Sequence, residues 1–279
     1  MVRTTQAELA RQFLALHDGR RTLVLPNAWD VASARIFEEV GFPAIGTTSA
    51  GIANALGYPD GQKISRSEML AVVHRIAAAV GIPVTADMEA GYGAKPKEVA
   101  ETAREVIEAG AVGMNLEDTI DDRPDSLADL NLQKEKIRAV IETSARAGVP
   151  LVLNARTDVF LASIGAAETR LAHTIERLNA YRDAGAQCLF APGVKDKETI
   201  AQLVNGVLGP LNILATAGSP LVAELEKFGV ARVSVGSGPM RATLGLIGRM
   251  ARQLREEGSF SLMTDGAMTY ADANSLFTR

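Results

Sequence analysis

The residues best equipped for chemistry in this sequence stand at the ends of short apolar runs. Pro83-Val84-Thr85-Ala86 leads into Asp87 and Glu89, followed by a turn containing Gly91 and Gly93. Side chains two apart in an extended strand point to one face, so these two carboxylates look the same way. Two acids sharing a face suit a hard divalent cation such as Mg²⁺, which takes oxygen ligands and keeps several waters. The plainer reading is a strand end passing into solvent. Further on, Met114-Asn115-Leu116 leads into Glu117 and Asp118, and Asn154, Arg156 and Asp158 are again spaced by two. Clustered acids repel and raise one another's pKa unless a cation sits among them. Arg156 adds a planar fork suited to a carboxylate or phosphate, so an anionic, ion-chelating substrate is expected. Rim salt bridges are the bland alternative for any one of these residues.

These residues need elements to bring them together. An N-terminal helix is expected over residues 5–17, with Thr5 and Glu8 forming a capping box. Beyond it, short apolar runs alternate with helical patterns. Strands are expected at residues 22–26, 43–48, 84–88, 112–116, 151–155, 188–190, 213–215 and 233–235. Helices follow the first strand as far as Gly41, and then at 67–80, 96–109, 133–147, 166–184, 197–207, 220–228 and 239–257. A glycine-containing loop precedes the helix at 67, and a polar loop follows the fourth strand. Such alternation implies parallel strands joined by right-handed crossovers. Eight units favour a closed (β/α)₈ TIM barrel, in one domain spanning 1–279, with a helical tail from 258. An open doubly wound sheet is the runner-up, but Pro26-Asn27-Ala28-Trp29 stands where its glycine-rich phosphate fingerprint would be. In a barrel the acids of strands three, four and five share the carboxyl-terminal rim, where the site belongs.

Bulk properties narrow the function. A net charge of -4 and 5% aromatic residues offer no footprint for nucleic acid. No apolar run reaches the roughly 18 residues of a membrane span, and the first residues carry no apolar signal segment, so a cytoplasmic protein is expected. Cys188, the single cysteine, reads as a small hydrophobe in the sixth strand. His17, His74 and His173 fall in helical stretches and read as structural. The apolar residues of the tail, such as Met263 and Tyr270, call for a packing partner, and a neighbouring subunit is one candidate.

Asp87-Met88-Glu89-Ala90-Gly91-Tyr92-Gly93, Asn115-Leu116-Glu117-Asp118 and Asn154-Ala155-Arg156-Thr157-Asp158 together resemble the isocitrate lyase and phosphoenolpyruvate mutase superfamily. The loop from Thr47 to Asp60 is similar to that family's second-strand loop. The likeness runs from about Asn27 to Arg241. It implies a (β/α)₈ barrel, often a homo-oligomer (dimer or tetramer) with the last helix exchanged between subunits. It further implies Mg²⁺, with Mn²⁺ as an alternative, and a small 2-oxo or 2-hydroxy carboxylate, or a phosphonate, as substrate. By the resemblance Asp87 is the direct metal ligand and Glu89 and Glu117 hold metal-bound waters. Asp60 is an acid near the substrate, Arg156 engages it, and Thr48, Ser49 and Ala50 bind its carboxylate. Trp29 lines the pocket.

The chain departs from the family after its fourth strand. The lyases carry Lys-Lys-Cys-Gly-His there, and this chain reads Thr119-Ile120-Asp121-Asp122-Arg123-Pro124-Asp125-Ser126, with no thiol. The lysine and asparagine of phosphonate-processing members are also missing. Ala191-Pro192-Gly193 and Thr216 replace a glutamate and an asparagine. The expectation is an Mg²⁺-dependent lyase that cleaves a C–C bond of a 2-hydroxy di- or tricarboxylate, or decarboxylates an oxaloacetate-like acid, through an enolate. Asp60 is the expected base, and Arg123, on a 119–135 loop able to close as a lid, is the candidate to supply positive charge. P–C mutase or hydrolase chemistry and a non-catalytic 2-oxo acid binder are the alternatives.

Overall fold

A computed structural model describes residues 4–18, 21–120 and 123–278, with 123–125 described as backbone. Helix α1 (Gln6–Ala15) begins where the sequence placed it. Glu8 N donates to Thr5 Oγ1 and Thr5 N to the Glu8 carboxylate at 2.8 Å, completing the capping box.

The sheet is parallel throughout. Its strands are β1 (Leu23–Leu25), β2 (Asn27–Ala28), β3 (Ile45–Thr47), β4 (Val84–Asp87), β5 (Gly113–Glu117), β8 (Val152–Arg156), β9 (Cys188–Ala191), β10 (Leu211–Leu214) and β11 (Arg232–Ser234). The two first pieces flank Pro26, which has no N–H to give to a ladder. On one side β1 pairs with β11, and on the other β2 pairs with β3. Pro26 still accepts a hydrogen bond from Gly46 N at 2.9 Å. A single run interrupted at Pro26 thus closes the ring, giving eight staves and a (β/α)₈ barrel. The expected first strand stopped at Pro26, whereas the chain stays extended to Ala28.

Helices α2 (Val31–Glu39), α4 (Arg66–Ala79), α5 (Pro96–Glu108), α6 (Leu130–Ala147), α7 (Ala167–Asp183), α8 (Lys197–Gly206), α9 (Val222–Phe228) and α10 (Gly238–Glu257) follow the staves in turn. Two local structures lie where loops were expected. After β3 the chain forms a short helix, α3 (Ser49–Ala55), capped by Thr48 Oγ1, which accepts from Gly51 N. After β5, β6 (Thr119–Ile120) pairs antiparallel with β7 (Arg123–Leu127). Asp129 then starts α6 three residues earlier than expected by accepting from Asn131 N and Leu132 N.

Inside the staves the alternation sends Ala86, Met114 and Leu153 outward into the core under the helices and turns Asp87, Asn115 and Asn154 into the barrel. Cys188 is buried, as expected. His17 lies just past α1, buried beneath the barrel floor. Past α10 the tail forms α11 (Ser261–Thr264) and α12 (Tyr270–Ser275) and returns to α2, where Arg35 Nε donates to Leu276 O at 2.6 Å. No helix among the described residues is long and apolar enough to cross a membrane.

Candidate active site

The carboxyl ends of β3, β4, β5 and β8 deliver the polar groups. Asp87, last in β4, is held from both sides. Its Oδ2 accepts from Ser49 N at 3.0 Å and Ser49 Oγ at 2.8 Å, and its Oδ1 accepts from Asn115 Nδ2 at 3.2 Å. Asn115 Oδ1 in turn accepts from Asn154 Nδ2 at 2.8 Å. Three neighbouring staves therefore set one carboxylate. Helix α3 contributes because its first residue, Ser49, spends both its N–H and its hydroxyl on Asp87.

Glu89 reaches the site differently from what strand alternation implied. The strand ends at Asp87, and Glu89 has a left-handed backbone, φ 50°. Its buried carboxylate accepts from Gln62 N at 2.6 Å. Glu117 and Arg156 are register partners on β5 and β8, and Arg156 Nη1 meets Glu117 Oε2 at 2.7 Å. Arg156 Nε and Nη2 donate to the two oxygens of Asp158 at 2.5 and 2.9 Å. The guanidinium is thus forked between two acids and lies over the Phe190 ring, 5.9 Å from its centroid.

Burial pushes the Glu117 carboxyl well above the usual carboxylate range. Arg156 opposes that shift, and Asp158, Asp87 and Glu89 add to it. Asp60 stands exposed at the mouth, yet the protein around it, and then Asp87, raise its pKa above the ordinary value.

These groups surround a cavity of about 230 Å³. Thr48, Ser49, Ala50, Asp60, Asp87 and Arg156 line it. Glu89 and Glu117 lie behind the wall. Trp29 does not line it and instead packs against the hydrophobic core near Gly51. The backbone of Arg123 pairs with Ile120 in the hairpin, and its side chain lies outside the described residues. The sequence reading missed Asn27, whose Oδ1 accepts from Val235 N and Gly236 N at 2.9 Å and draws the last strand end to the first. Its position directly after Pro26 was the available signal. Leu161, Phe190 and Leu214 also line the cavity and carried no signal, being apolar residues among many. A larger hollow, about 750 Å³, lies outside the barrel among Arg66, Lys97, Arg104 and Arg146 and includes no strand end.

Among the described residues no three His, Cys, Asp or Glu side chains converge tightly enough to hold a metal ion by themselves. Mg²⁺ does not require this, since one or two carboxylates with waters and substrate oxygens complete its shell. The donor set fits such an ion. Asp87, Glu89, Glu117 and Asp158 gather around one cation, Arg156, and Glu117 is driven toward its neutral form.

A family model described as phosphoenolpyruvate phosphomutase matches residues 13–255. An uncharacterised protein of Mycobacterium tuberculosis is 35% identical over 244 residues, covering 88% of this chain and 89% of its own. Oxaloacetate decarboxylase 2 of Pseudomonas putida is 30% identical over 240 residues, 84% of this chain and 76% of that one. A solved structure from Burkholderia cenocepacia, described only as a lyase/mutase, superposes with a TM-score of 0.91 at 39% identity, over 98% of this chain and 97% of that one.

Proposed function

The chain belongs to the isocitrate lyase and phosphoenolpyruvate mutase superfamily, and from that premise we propose that it is an Mg²⁺-dependent carbon–carbon lyase. Its substrate is a small 2-oxo or 2-hydroxy di- or tricarboxylate, cleaved at the bond to C3 or decarboxylated as an oxaloacetate-like acid. One observation carries this reading. Asp87 and Arg156 line the same 230 Å³ cavity, with an excess of acids behind them.

Asp87 would hold the ion directly, with Glu89 and Glu117 reaching it through water, and Mn²⁺ could substitute. When bound, the ion supplies Lewis-acid charge against the negative charge that develops on the substrate's 2-oxo oxygen. Arg156, fixed by Glu117 and Asp158, orients the substrate carboxylate, while Thr48, Ser49 and Ala50 bound it opposite. Asp60, with its raised pKa, accepts a proton from a substrate hydroxyl at the mouth. Arg123 is the residue we assign to bring charge from the hairpin. The row of exposed apolar side chains along α10 and the tail, including Leu244, Ile247, Phe260 and Tyr270, supports a homo-oligomer, a dimer or tetramer measurable by light scattering.

The family model's description favours phosphonate chemistry as a second reading. Purified protein with Mg²⁺ should turn over isocitrate, methylisocitrate or oxaloacetate, and Asp87→Ala should abolish that turnover. Turnover of phosphonopyruvate instead would establish the P–C reading. A silent panel with saturable, metal-dependent binding of a 2-oxo acid would leave a binding protein and defeat the enzyme reading.

A further inference from the structure

Arg177 and Tyr181 stand one turn apart on α7, outside the barrel wall, and therefore share a face of that helix. Both reach the same carboxylate. Asp118, fully buried directly after β5, accepts through Oδ2 from Arg177 Nε at 2.8 Å and from Tyr181 Oη at 2.6 Å. Burial, followed by the Asp118 charge, holds the Tyr181 phenol well above its usual pKa, so it stays protonated and donates. The other oxygen, Oδ1, accepts from Asp158 N at 3.0 Å.

Asp158 is the residue whose carboxylate forks onto Arg156, and it also accepts from Thr119 Oγ1, the first residue of the hairpin. The far foot of the hairpin joins the same centre. Ala128 N donates to Asp118 O at 2.8 Å, and Arg177 Nη2 donates to Ala128 O at 2.7 Å. A continuous buried path thus runs from α7 through Asp118 and Asp158 to the guanidinium in the cavity, and a branch of it pins both feet of the hairpin. None of the functional roles assigned above includes Arg177, Tyr181 or Asp118.

We propose that Arg177 and Tyr181 are positioning residues that, through Asp118, set the orientation of the Arg156 guanidinium and tie it to Thr119 and Ala128, the two feet of the β6–β7 pair. The link to substrate binding rests on the role given to Arg156 above, while the link to Arg156 itself does not. A carboxylate held by three hydrogen bonds across both oxygens has little freedom to turn, so the Asp158 backbone it grips is fixed and the Arg156 fork follows. Lysine at 177 would keep the charge and lose the fork that spans Asp118 and Ala128.

The experiment follows the Arg156 Nε–H signal by ¹⁵N NMR in the ligand-free protein, assigned by its loss in Arg156→Lys. Tyr181→Phe and Arg177→Lys should each shift this signal and speed its hydrogen exchange by about tenfold or more, with the overall fold retained. An Arg156 signal unchanged in a folded Tyr181→Phe protein overturns the proposal and leaves the cluster as a structural clamp. Should Arg177→Lys fail to fold, Tyr181→Phe, which removes one hydroxyl and keeps the ring, still decides. A second arm measures oxalate binding with Mg²⁺. Tyr181→Phe should weaken it roughly three- to tenfold in the wild-type background and less than about twofold in Arg156→Lys. Equal losses in both backgrounds contradict action through Arg156. If the wild type does not bind oxalate, the substrate reading fails while the NMR arm still judges the positioning claim.

Discussion

Lowering the pH should weaken this fold through one residue at the barrel floor. His17 is 4% exposed, its Nδ1 lies 2.8 Å from Phe13 O, and its ring meets the Phe13 ring edge-on at 4.9 Å. Burial first, and then the charge of Arg232, push its pKa down from 6.5 to about 4, against the opposing pull of the Phe13 carbonyl. A base whose folded pKa lies below its unfolded value binds its proton more readily when unfolded. Its contribution to stability is therefore complete above pH 6.5 and is lost as pH falls toward 4. Each unit between those values costs about 1.4 kcal/mol, so going from pH 7 to pH 5 removes about 2 kcal/mol on account of His17 alone. Urea unfolding at the two pH values reads this directly. The same pair of measurements on His17→Gln cancels the other titrating groups, Asp60 and Glu117 among them. We expect the pH-dependent loss to shrink by about 2 kcal/mol in the variant. An identical loss in both proteins would mean that the floor accepts a charged imidazole, and the argument from burial would be wrong.

Three further outcomes follow from the geometry. Arg232 is fully buried with no hydrogen-bond partner for any of its three nitrogens among the described residues, and its guanidinium lies 5.9 Å from the centroid of the Phe13 ring. Arg232→Met should leave the unfolding free energy in denaturant unchanged or raise it by about 1–4 kcal/mol, and a clear loss would reveal a partner for the guanidinium. A Cβ on Gly113 would stand 2.6 Å from Thr85 Oγ1 and 2.8 Å from Phe13 Cε1. Gly113→Ala should therefore lower stability by about 1–3 kcal/mol in the same assay, and a neutral result would show that α1 can move off the floor. Ser49 Oγ donates to Asp87 Oδ2, so Ser49→Ala should weaken apparent Mg²⁺ affinity by about 10- to 100-fold in a metal titration, and an unmoved midpoint would argue against Asp87 as the ligand.

The barrel was legible because its evidence is local and repeated. Each stave is a short apolar run and each crossover an amphipathic helix, so eight independent signals agree, and even Pro26 only divided a strand whose halves serve different neighbours. Helix α3 was hidden because seven residues including Gly51 have too little intrinsic preference to stand out; the Thr48 cap and the packing of Ile52 and Ala53 in the core hold it instead. The β6–β7 pair reads as polar loop for a similar reason, since no apolar run in residues 119–127 announces it. Strand alternation pointed to Asp87, which ends its strand on the cavity wall. The same rule pointed to Glu89, which lies past the strand end; a left-handed non-glycine residue leaves no mark in the sequence. The Glu117–Arg156 contact needed the β5–β8 register, which the strand pairing supplies and the sequence does not show.

That register also explains how the site's charge is arranged. Arg156 gives Nη1 to Glu117 and Nε and Nη2 to Asp158, so its fork is oriented by two carboxyl groups. Asp87 and Asp60 stand on the same cavity wall, and the protein drives both Glu117 and Asp60 toward their neutral forms. An anionic substrate entering alone would meet a site where Arg156, the one cation lining it among the described residues, is already shared with acids. On the function proposed above, substrate and divalent cation therefore favour each other's binding, because each relieves the charge that opposes the other, and the linkage is reciprocal. Two needs meet in this arrangement. Asp87 is held by Ser49 and Asn115, and Arg156 by Asp158, whose N–H is gripped by Asp118; on the function proposed above, the first would keep a fixed place for the ion and the second a fixed direction for the carboxylate.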